Sequence, residues 1–319
     1  MLYIVVRKSF MELFERYKKL NDSFSSRRVI FHVGAHAGFF SEYNNMILTM
    51  LYCLCNKIRF TLFSKDANFG YDKGWTDYFC PFTEEEEDIF HSRYNFRYPG
   101  ITKTLRPQVL FYHLFHPNTF LTFEILNRAR DRKWENEHYD IPELGIYGDL
   151  QDACRALVDM TWRFNNRTKA RVEDLISSLH LPESYIGFHV RAGDKSIETG
   201  LLDVSKYISN IPVDYPSKNV FVLTDDYLIV EKFRKLLNDW NIYTLCGEEE
   251  RGYFHEEFQK RRDPESIRKS HETLFASMDI LRNSDLFIGT FSSNPGMFLG
   301  MVMDKHRVCG VDVHLWEIW

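Results

Sequence analysis

No long apolar run occurs in this 319-residue sequence, and no window approaches the ~20 apolar residues that a membrane-spanning helix needs. The apolar run within residues 1–8 is too short for the hydrophobic region of a signal peptide, and no small-residue cleavage site follows it. Residues 10–20 have the pattern of an amphipathic, charged helix. We therefore expect a cytoplasmic protein without a membrane span.

A basic excess is also lacking. Lys and Arg number 40 against 45 Asp and Glu, which gives a formal net charge of -5. Proteins that bind nucleic acid normally carry an excess of positive charge, so the composition argues against a nucleic-acid partner.

Metal-binding and disulfide patterns are lacking as well. The cysteines show no Cys-x-x-Cys spacing, and the 12 histidines are scattered without a His-x-x-x-His pair near carboxylates. We therefore expect no metal site, and we expect reduced thiols rather than a disulfide framework. The cysteines are Cys53, Cys55, Cys80, Cys154, Cys246 and Cys309.

The most informative segment is the stretch 185–195, Tyr-Ile-Gly-Phe-His-Val-Arg-Ala-Gly-Asp-Lys. Its first six residues have the apolar, β-branched pattern of a buried strand. Four polar side chains gather at the carboxyl end of this strand: His189, Arg191, Asp194 and Lys195. Ligands bind at that end of an open α/β sheet, and a guanidinium fork beside an ammonium suits a nucleotide diphosphate. The alternative interpretation is an Arg–Asp ion pair that holds a strand-to-loop corner.

This segment resembles the signature of GDP-fucose-dependent fucosyltransferases, which reads roughly His-x-Arg-Arg-x-Asp-Lys in the α1,6 branch. Ala192 stands where that signature has its second Arg, whereas Arg191 keeps the first. Glu198 and Tyr207 have the same mutual spacing as a Glu and a Tyr of the α1,6 branch, although Glu198 lies one residue closer to Lys195.

Further blocks resemble the same family and come in its order. They are a strand ending in Thr-Asp-Asp at 219–226, a helix end and strand ending in Thr-Phe-Ser-Ser at 279–294, and an amino-terminal series of strand 28–33, glycine-punctuated turn 34–38, buried helix 42–55, strand 59–63 and the pair Gly74-Trp75. The resemblance is to the catalytic core and covers most of residues 28–319, with a poor match over 84–150.

The pattern of elements predicts an α/β fold. Together with the resemblance it implies a GT-B-type architecture, in which two Rossmann-like αβ domains face a cleft. We expect an N-terminal αβ domain on the acceptor side (1–150), a helical connector (151–180) that is broken near Asn165-Asn166, and a Rossmann-like domain that binds the GDP-sugar (181–319). The acidic run Glu84 to Glu87 has the composition of a solvated helix start.

The resemblance implies an inverting transfer of L-fucose from GDP-fucose to a hydroxyl of a glycan or oligosaccharide acceptor. GDP-fucose is the donor substrate, and neither a cofactor nor a metal is expected. Arg191 would stabilise the charge that develops on the β-phosphate in the transition state. Glu198 would accept the proton of the acceptor hydroxyl, with Lys195 beside it.

Other residues are candidates for binding the donor. His189 and Asp279 would read guanine, although the family position itself falls on Ser277. Asp225 and Asp226 would hold the ribose and position their loop. The remaining candidates, with backbone amides near the two serines, are Asp194, Tyr207, Ser292, Ser293 and the turn that contains Gly38 and Phe40.

Alternatives stay open at several points. Gly193-Asp194 also fits the motif of bacterial α1,2-fucosyltransferases, whereas Lys195 and the Thr-Phe-Ser-Ser block favour the α1,6 branch. Ala192 and the displaced Glu198 leave room for a catalytically silent GDP-sugar-binding protein. Glu198 could instead be an exposed carboxylate at a helix start, and Tyr207 could instead pack in a helix core.

Overall fold

The computed structural model describes residues 2–35, 37–97, 106–191, 202–252, 263–313 and 315–318, with the backbone alone for residues 2–12 and 106. The chain divides into two compact units, Met1–Asn165 and Asn166–Ile318. Each is described here by itself. Within the predicted connector 151–180, the division falls between two helices.

The first unit is built on a parallel sheet. Its strands are β1 (Arg28–His32), β2 (Arg59–Phe63) and β3 (Thr119–Leu121), and β1 lies between the other two. A separate antiparallel pair consists of β4 (Tyr139–Ile141) and β5 (Ile146–Gly148). The helices are α1 (Leu2–Ser23), α2 (Phe39–Cys55), α3 (Ile89–Tyr94), α4 (Arg106–Phe115), α5 (Thr122–Arg130) and α6 (Leu150–Thr161).

The predicted buried helix is confirmed as α2. It is buried along nearly its whole length because apolar side chains surround it. Its first turns pack into an aromatic cluster, in which the ring of Phe39 stacks on Phe79 at 5.7 Å and Phe79 stacks on Trp75 at 4.5 Å. Trp75 of the predicted amino-terminal series therefore packs together with Phe79 in the core of the first unit.

The second unit contains a five-stranded parallel sheet. Its strands are β6 (Ile186–Val190), β7 (Asn219–Thr224), β8 (Asn241–Tyr243), β9 (Leu286–Gly289) and β10 (Val308–Gly310), and their order is β10-β9-β6-β7-β8. The helices are α7 (Asn166–Ser178), α8 (Val204–Ile208), α9 (Tyr227–Leu236), α10 (Pro264–Asn283) and α11 (Asn294–Val302). The predicted α/β class with a Rossmann-like parallel sheet is confirmed.

The strand order of this sheet reverses between β6 and β9. The chain continues from β6 to β7 on one side, whereas it continues from β9 to β10 on the other. In an open parallel sheet, the loops diverge at such a point and leave a crevice outside the carboxyl ends of the two strands. Arg191 follows β6 and Thr290 follows β9, so both residues begin the loops that border this crevice.

The prediction for the acidic run at 84–87 is wrong. The helix begins later, at Ile89, where the side chain of Asp88 caps it by accepting a hydrogen bond from the amide of Phe90 at 2.8 Å. Glu85 instead lies in a parallel bridge beside Leu62 of β2. The acidic side chains here pair with cations of the neighbouring strands, for example Glu84 with Arg59 at 2.9 Å.

Among the helices that the structure describes, none is both long and apolar enough to cross a bilayer. All six cysteines lie in described ranges, and each is a free thiol. Burial raises the pKa of the Cys154 thiol to about 12, and burial together with Glu250 and neighbouring carboxylates does the same for the pKa of Cys246. These thiols are therefore protonated at neutral pH.

Candidate functional site

The carboxyl end of β6 is the centre of the candidate site. All five residues of β6 are buried between its two neighbouring strands. Helix α10 packs directly on this strand at Gly187, where an added Cβ would lie 2.7 Å from Cδ2 of Leu281. The close approach accounts for the glycine. The strand then carries His189, which is 5% exposed, and the half-buried Arg191 to the edge of the sheet.

The loop 290–293 between β9 and α11 meets the end of β6. Ser293 caps α11: its hydroxyl accepts a hydrogen bond from the amide of Gly296 at 3.3 Å and donates one to the carbonyl of Thr290 at 2.8 Å. Nδ1 of His189 lies 3.4 Å from the same hydroxyl oxygen. Because the hydroxyl hydrogen is given to Thr290, Nδ1 of His189 is the donor in this contact.

The backbone of this loop is held by Asp312, a residue that the sequence analysis did not single out. Its carboxylate accepts hydrogen bonds from the amides of Phe291 at 2.8 Å and Ser292 at 3.1 Å, and from the amide of Val313 at 2.9 Å. We expected backbone amides near the serines to donate to a ligand, but these two donate to Asp312. No motif signals this contact, since it arises from the pairing of β10 with β9.

Tyr207 lies on α8 and is buried in the core beneath the sheet, with 2% of its surface exposed. Burial, with the negative charge of Asp312, raises the pKa of Tyr207 to about 12. The phenol therefore keeps its proton at neutral pH. Its burial is consistent with the alternative interpretation, in which Tyr207 packs in the core.

Asp225 and Asp226 follow the neighbouring strand β7. The side chain of Asp226 caps α9 by accepting a hydrogen bond from the amide of Leu228 at 3.0 Å. The backbone carbonyl of Asp225 accepts one from the amide of Gly252 at 2.7 Å. Both aspartates are half-buried at this edge. Asp226 thus has a structural role as a helix cap, and a role toward ribose stays a prediction.

The two candidate positions for guanine recognition on α10 face different ways. Ser277 is 1% exposed and its hydroxyl donates to the carbonyl of Thr273 at 2.9 Å, whereas Asp279 is half-buried. Residues two apart on a helix are separated by about 200° around its axis. A ligand that contacts the family position at Ser277 would therefore not meet the carboxylate of Asp279 on the same face.

In the first unit, the glycine-punctuated turn leads into α2. Gly38 stands at its amino terminus, and its carbonyl accepts hydrogen bonds from the amides of Ser41 and Glu42 at 2.9 and 3.3 Å. Phe40 is 3% exposed and stacks on Trp162 with 5.8 Å between the ring centroids. The ring of Phe40 is therefore a core side chain, which leaves only the backbone of this turn for a predicted ligand contact.

The same turn is organised from inside by Glu42, another residue that the sequence analysis did not single out. Glu42 is fully buried, and its carboxylate accepts hydrogen bonds from the amides of Gly34 at 3.4 Å and Ala37 at 3.2 Å. Its charge is paired with Arg97, 3.4 Å away. Gly34 has a φ of 78°, which few other residues adopt. The sequence gives no sign of this role, because a lone carboxylate in an otherwise apolar helix does not change the periodicity of its apolar residues.

The structure brings His189, Arg191, Ser292 and Ser293 together at one edge of the second sheet, and Asp225 and Asp226 come directly after the adjacent strand β7. The predicted residues Asp194, Lys195 and Glu198 lie outside the described ranges. Within those ranges, no three His, Cys, Asp or Glu residues are grouped in a way that could hold a metal ion.

The chain is similar to known proteins in its fold but not detectably in its sequence. No protein-family model matches the chain, and no curated protein matches its sequence.

Solved structures do match it. The structure of NodZ α-1,6-fucosyltransferase soaked with GDP-fucose matches with a TM-score of 0.54 at 15% identity, over 88% of this chain and 93% of that chain. Fucosyltransferase NodZ from Bradyrhizobium matches with a TM-score of 0.53 at 15% identity, over 89% and 94%. POFUT1 in complex with GDP-fucose matches with a TM-score of 0.50 at 10% identity, over 87% and 94%. The chain therefore has the GT-B-like α/β fold of these fucosyltransferase structures.

Proposed function

We propose that the protein is a fucosyltransferase that uses GDP-fucose as its donor. The observation that carries this proposal is the meeting of two separate sequence blocks at the strand-order reversal of the second sheet. His189 and Arg191 come from the first block, and Ser293 comes from a block 104 residues further along the chain. A nucleotide-binding crevice is expected at that place in an open parallel sheet. The fold shared with fucosyltransferase structures supports the same function.

The proposed chemistry follows from the charge that develops during transfer. When fucose leaves GDP, negative charge grows on the β-phosphate, and a fixed cation stabilises the transition state more than the ground state. Arg191 takes this role. Because Ala192 removes the second cation of the signature, the transfer depends more heavily on Arg191. The reaction is inverting and metal-independent, with Glu198 as the base and Lys195 beside it.

On the acceptor side we propose a glycan hydroxyl and an α1,6 linkage. The linkage rests on Lys195 and on the Thr-Phe-Ser-Ser block at 290–293, both of which distinguish the α1,6 branch from the bacterial α1,2 enzymes. An α1,2-type transferase is the second candidate, because Gly193-Asp194 fits that motif. A silent GDP-sugar-binding protein is the third, because Ala192 and Glu198 depart from the α1,6 pattern.

Two experiments test the proposal. Calorimetry should show that the purified protein binds GDP and GDP-fucose more tightly than UDP- or CMP-sugars. Equal or tighter binding of UDP-sugars would reject the guanosine assignment. A glycan-acceptor array with GDP-fucose then tests turnover, and NMR of the product reads the linkage. Tight GDP binding without transfer or donor hydrolysis would favour the silent binding protein instead.

A further inference from the structure

Asp312 occupies an unexpected place for a carboxylate. It lies on the loop after β10, next to the loop 290–293 that borders the crevice. Its two oxygens divide the neighbouring amides between them: Oδ1 accepts from Phe291 and Val313, and Oδ2 accepts from Ser292. A negative charge beside a diphosphate-binding crevice repels the diphosphate and so weakens its binding. A carboxylate at this place is therefore expected to have a second effect that strengthens binding by more than this repulsion.

The contacts around the loop indicate what that compensating role is. The ring of Phe291 is 4% exposed and is wedged between two glycines: an added Cβ would lie 2.7 Å from the ring at Gly310 and 3.1 Å from it at Gly300. The ring thus anchors the loop from below, and Asp312 fixes the direction of its amides. Ser292 and the helix cap Ser293 follow immediately, so their positions depend on both anchors.

We propose that Asp312 is a positioning residue for the donor diphosphate, which it serves by holding the loop 290–293 in its binding conformation. This inference rests on the proposed function. Asp312 acts through the loop backbone and touches neither the sugar nor the phosphates.

The substitution Asp312→Asn distinguishes a positioning role from that of a bystander charge, because the two roles predict changes of opposite sign in the affinity for GDP. Asn removes the negative charge. If Asp312 were only a bystander charge, the variant protein would therefore bind GDP more tightly than the wild type. Asn also has one acceptor oxygen, and its NH2 group cannot accept from a second amide. If Asp312 positions the loop, the variant protein should therefore bind GDP more weakly than the wild type, even though the repulsion between Asp312 and the diphosphate has been removed.

The experiment is calorimetry of GDP, GMP and guanosine with the wild-type protein and Asp312→Asn. We expect the affinity for GDP to fall by ~10-fold, because one charge-assisted bond to the loop is lost, while guanosine binding stays within about twofold. The matched control is Asp214→Asn, which removes one exposed negative charge near the amino end of β7. It should leave all three affinities unchanged.

Unchanged or tighter GDP binding by Asp312→Asn would overturn the inference, and so would an equal loss for GDP and guanosine, which would indicate a general effect on the fold. Asp312→Glu gives a second test should the Asn variant fail to fold: it keeps the charge and both acceptors but displaces them, so its GDP affinity should be intermediate. Equal GDP affinity in the Glu variant and the wild type would contradict positioning. A wild-type protein that binds none of the three ligands would refute the proposed function itself.

Discussion

Nδ1 of His189 lies 3.4 Å from the hydroxyl oxygen of Ser293, so this polar contact joins the end of β6 to the cap of α11. Both side chains are almost completely buried, at 5% and 1% exposure. Burying a polar group costs free energy unless the group is hydrogen-bonded, and apolar residues at these two positions would not carry this cost. The pair therefore fixes the relative position of the two loops that border the crevice.

Replacing Ser293 with Ala removes both the cap of α11 and the acceptor for His189. We expect a loss of roughly 1 kcal/mol in the free energy of unfolding from the cap, together with weaker GDP binding. Thermal unfolding and calorimetry measure the two effects. Ser293→Asn keeps a capping oxygen and should restore most of the stability. Asp88→Ala removes a cap in the first unit and is the control: it should cost similar stability and leave GDP affinity unchanged.

Replacing Arg191 with Ala should reduce turnover of GDP-fucose by at least ~100-fold, because removing a partner of a developing anion typically costs about 3–4 kcal/mol. Arg191→Lys should restore only part of the rate, since an ammonium cannot reproduce the guanidinium fork. Steady-state kinetics check this, with circular dichroism to confirm that both variants fold. A folded Arg191→Ala protein with a near-native kcat would contradict the central mechanistic assignment.

Turnover should also survive EDTA. In the proposed mechanism Arg191 supplies the positive charge that a metal ion would otherwise bring to the diphosphate, and the carboxylate of Asp226 caps α9. The measurement is the initial rate of transfer before and after chelation, with added magnesium and manganese. A hundredfold loss in chelator that either ion restores would count against metal independence, and Asp225 and Asp226 would then be the first ligands to test.

Local pattern is sufficient to predict several strands, including the one that carries the site. The strand predicted at 59–63 has those bounds in the structure, and β6 differs from its predicted start by one residue. Apolar alternation and turn residues are local signals, so they can be read from a short window. The acidic run at 84–87 misled because a single capping residue, Asp88, decides where the helix begins.

The roles of the carboxylates of Asp312 and Glu42 could not be predicted from the sequence, and the reason is different. Asp312 meets the amides of residues about 20 positions earlier only because β10 pairs with β9. Glu42 meets Arg97, 55 residues away, inside a helix whose composition indicates an apolar core. Side chain-to-backbone bonds and buried ion pairs depend on tertiary pairing, and no periodicity in one sequence reports them.

The Glu42–Arg97 pair leads to a prediction on stability. Glu42→Ala removes a carboxylate that pairs with the guanidinium of Arg97, which is buried at 4% exposure, and it removes the acceptor for two turn amides. Breaking a buried pair from one side typically costs about 3–5 kcal/mol. The double variant Glu42→Ala/Arg97→Met should recover part of this loss, because it removes the buried guanidinium charge together with the carboxylate. Urea unfolding of the double-mutant cycle measures it, with the exposed Glu143→Ala as control. Additive losses would argue against coupling.

The buried His271 on α10 predicts how stability changes with pH. Burial lowers its pKa to about 4 from an ordinary value of 6.5, despite the hydrogen bond from Nδ1 to the carbonyl of Ile267 at 2.8 Å. Above pH 6.5 the residue is neutral in both states, so folding carries no penalty. As the pH falls from 6.5 to about 4, the unfolded chain takes up a proton that the folded one refuses, and the free energy of unfolding decreases. Below about 4 both states are protonated and this contribution stops changing.

His271→Asn should flatten that part of the pH profile, because its amide nitrogen can still donate to the carbonyl of Ile267 but does not titrate. The slope of the free energy of unfolding between pH 6 and 4.5 should decrease by up to about 1.4 kcal/mol per pH unit, which is the effect of one proton. Burial also lowers the pKa of His91 to about 4, so a smaller slope in the same direction should remain. The exposed His306→Asn should leave the profile unchanged. Urea unfolding across this range measures all three proteins, and equal slopes for His271→Asn and the wild type would show that His271 is not the group that titrates.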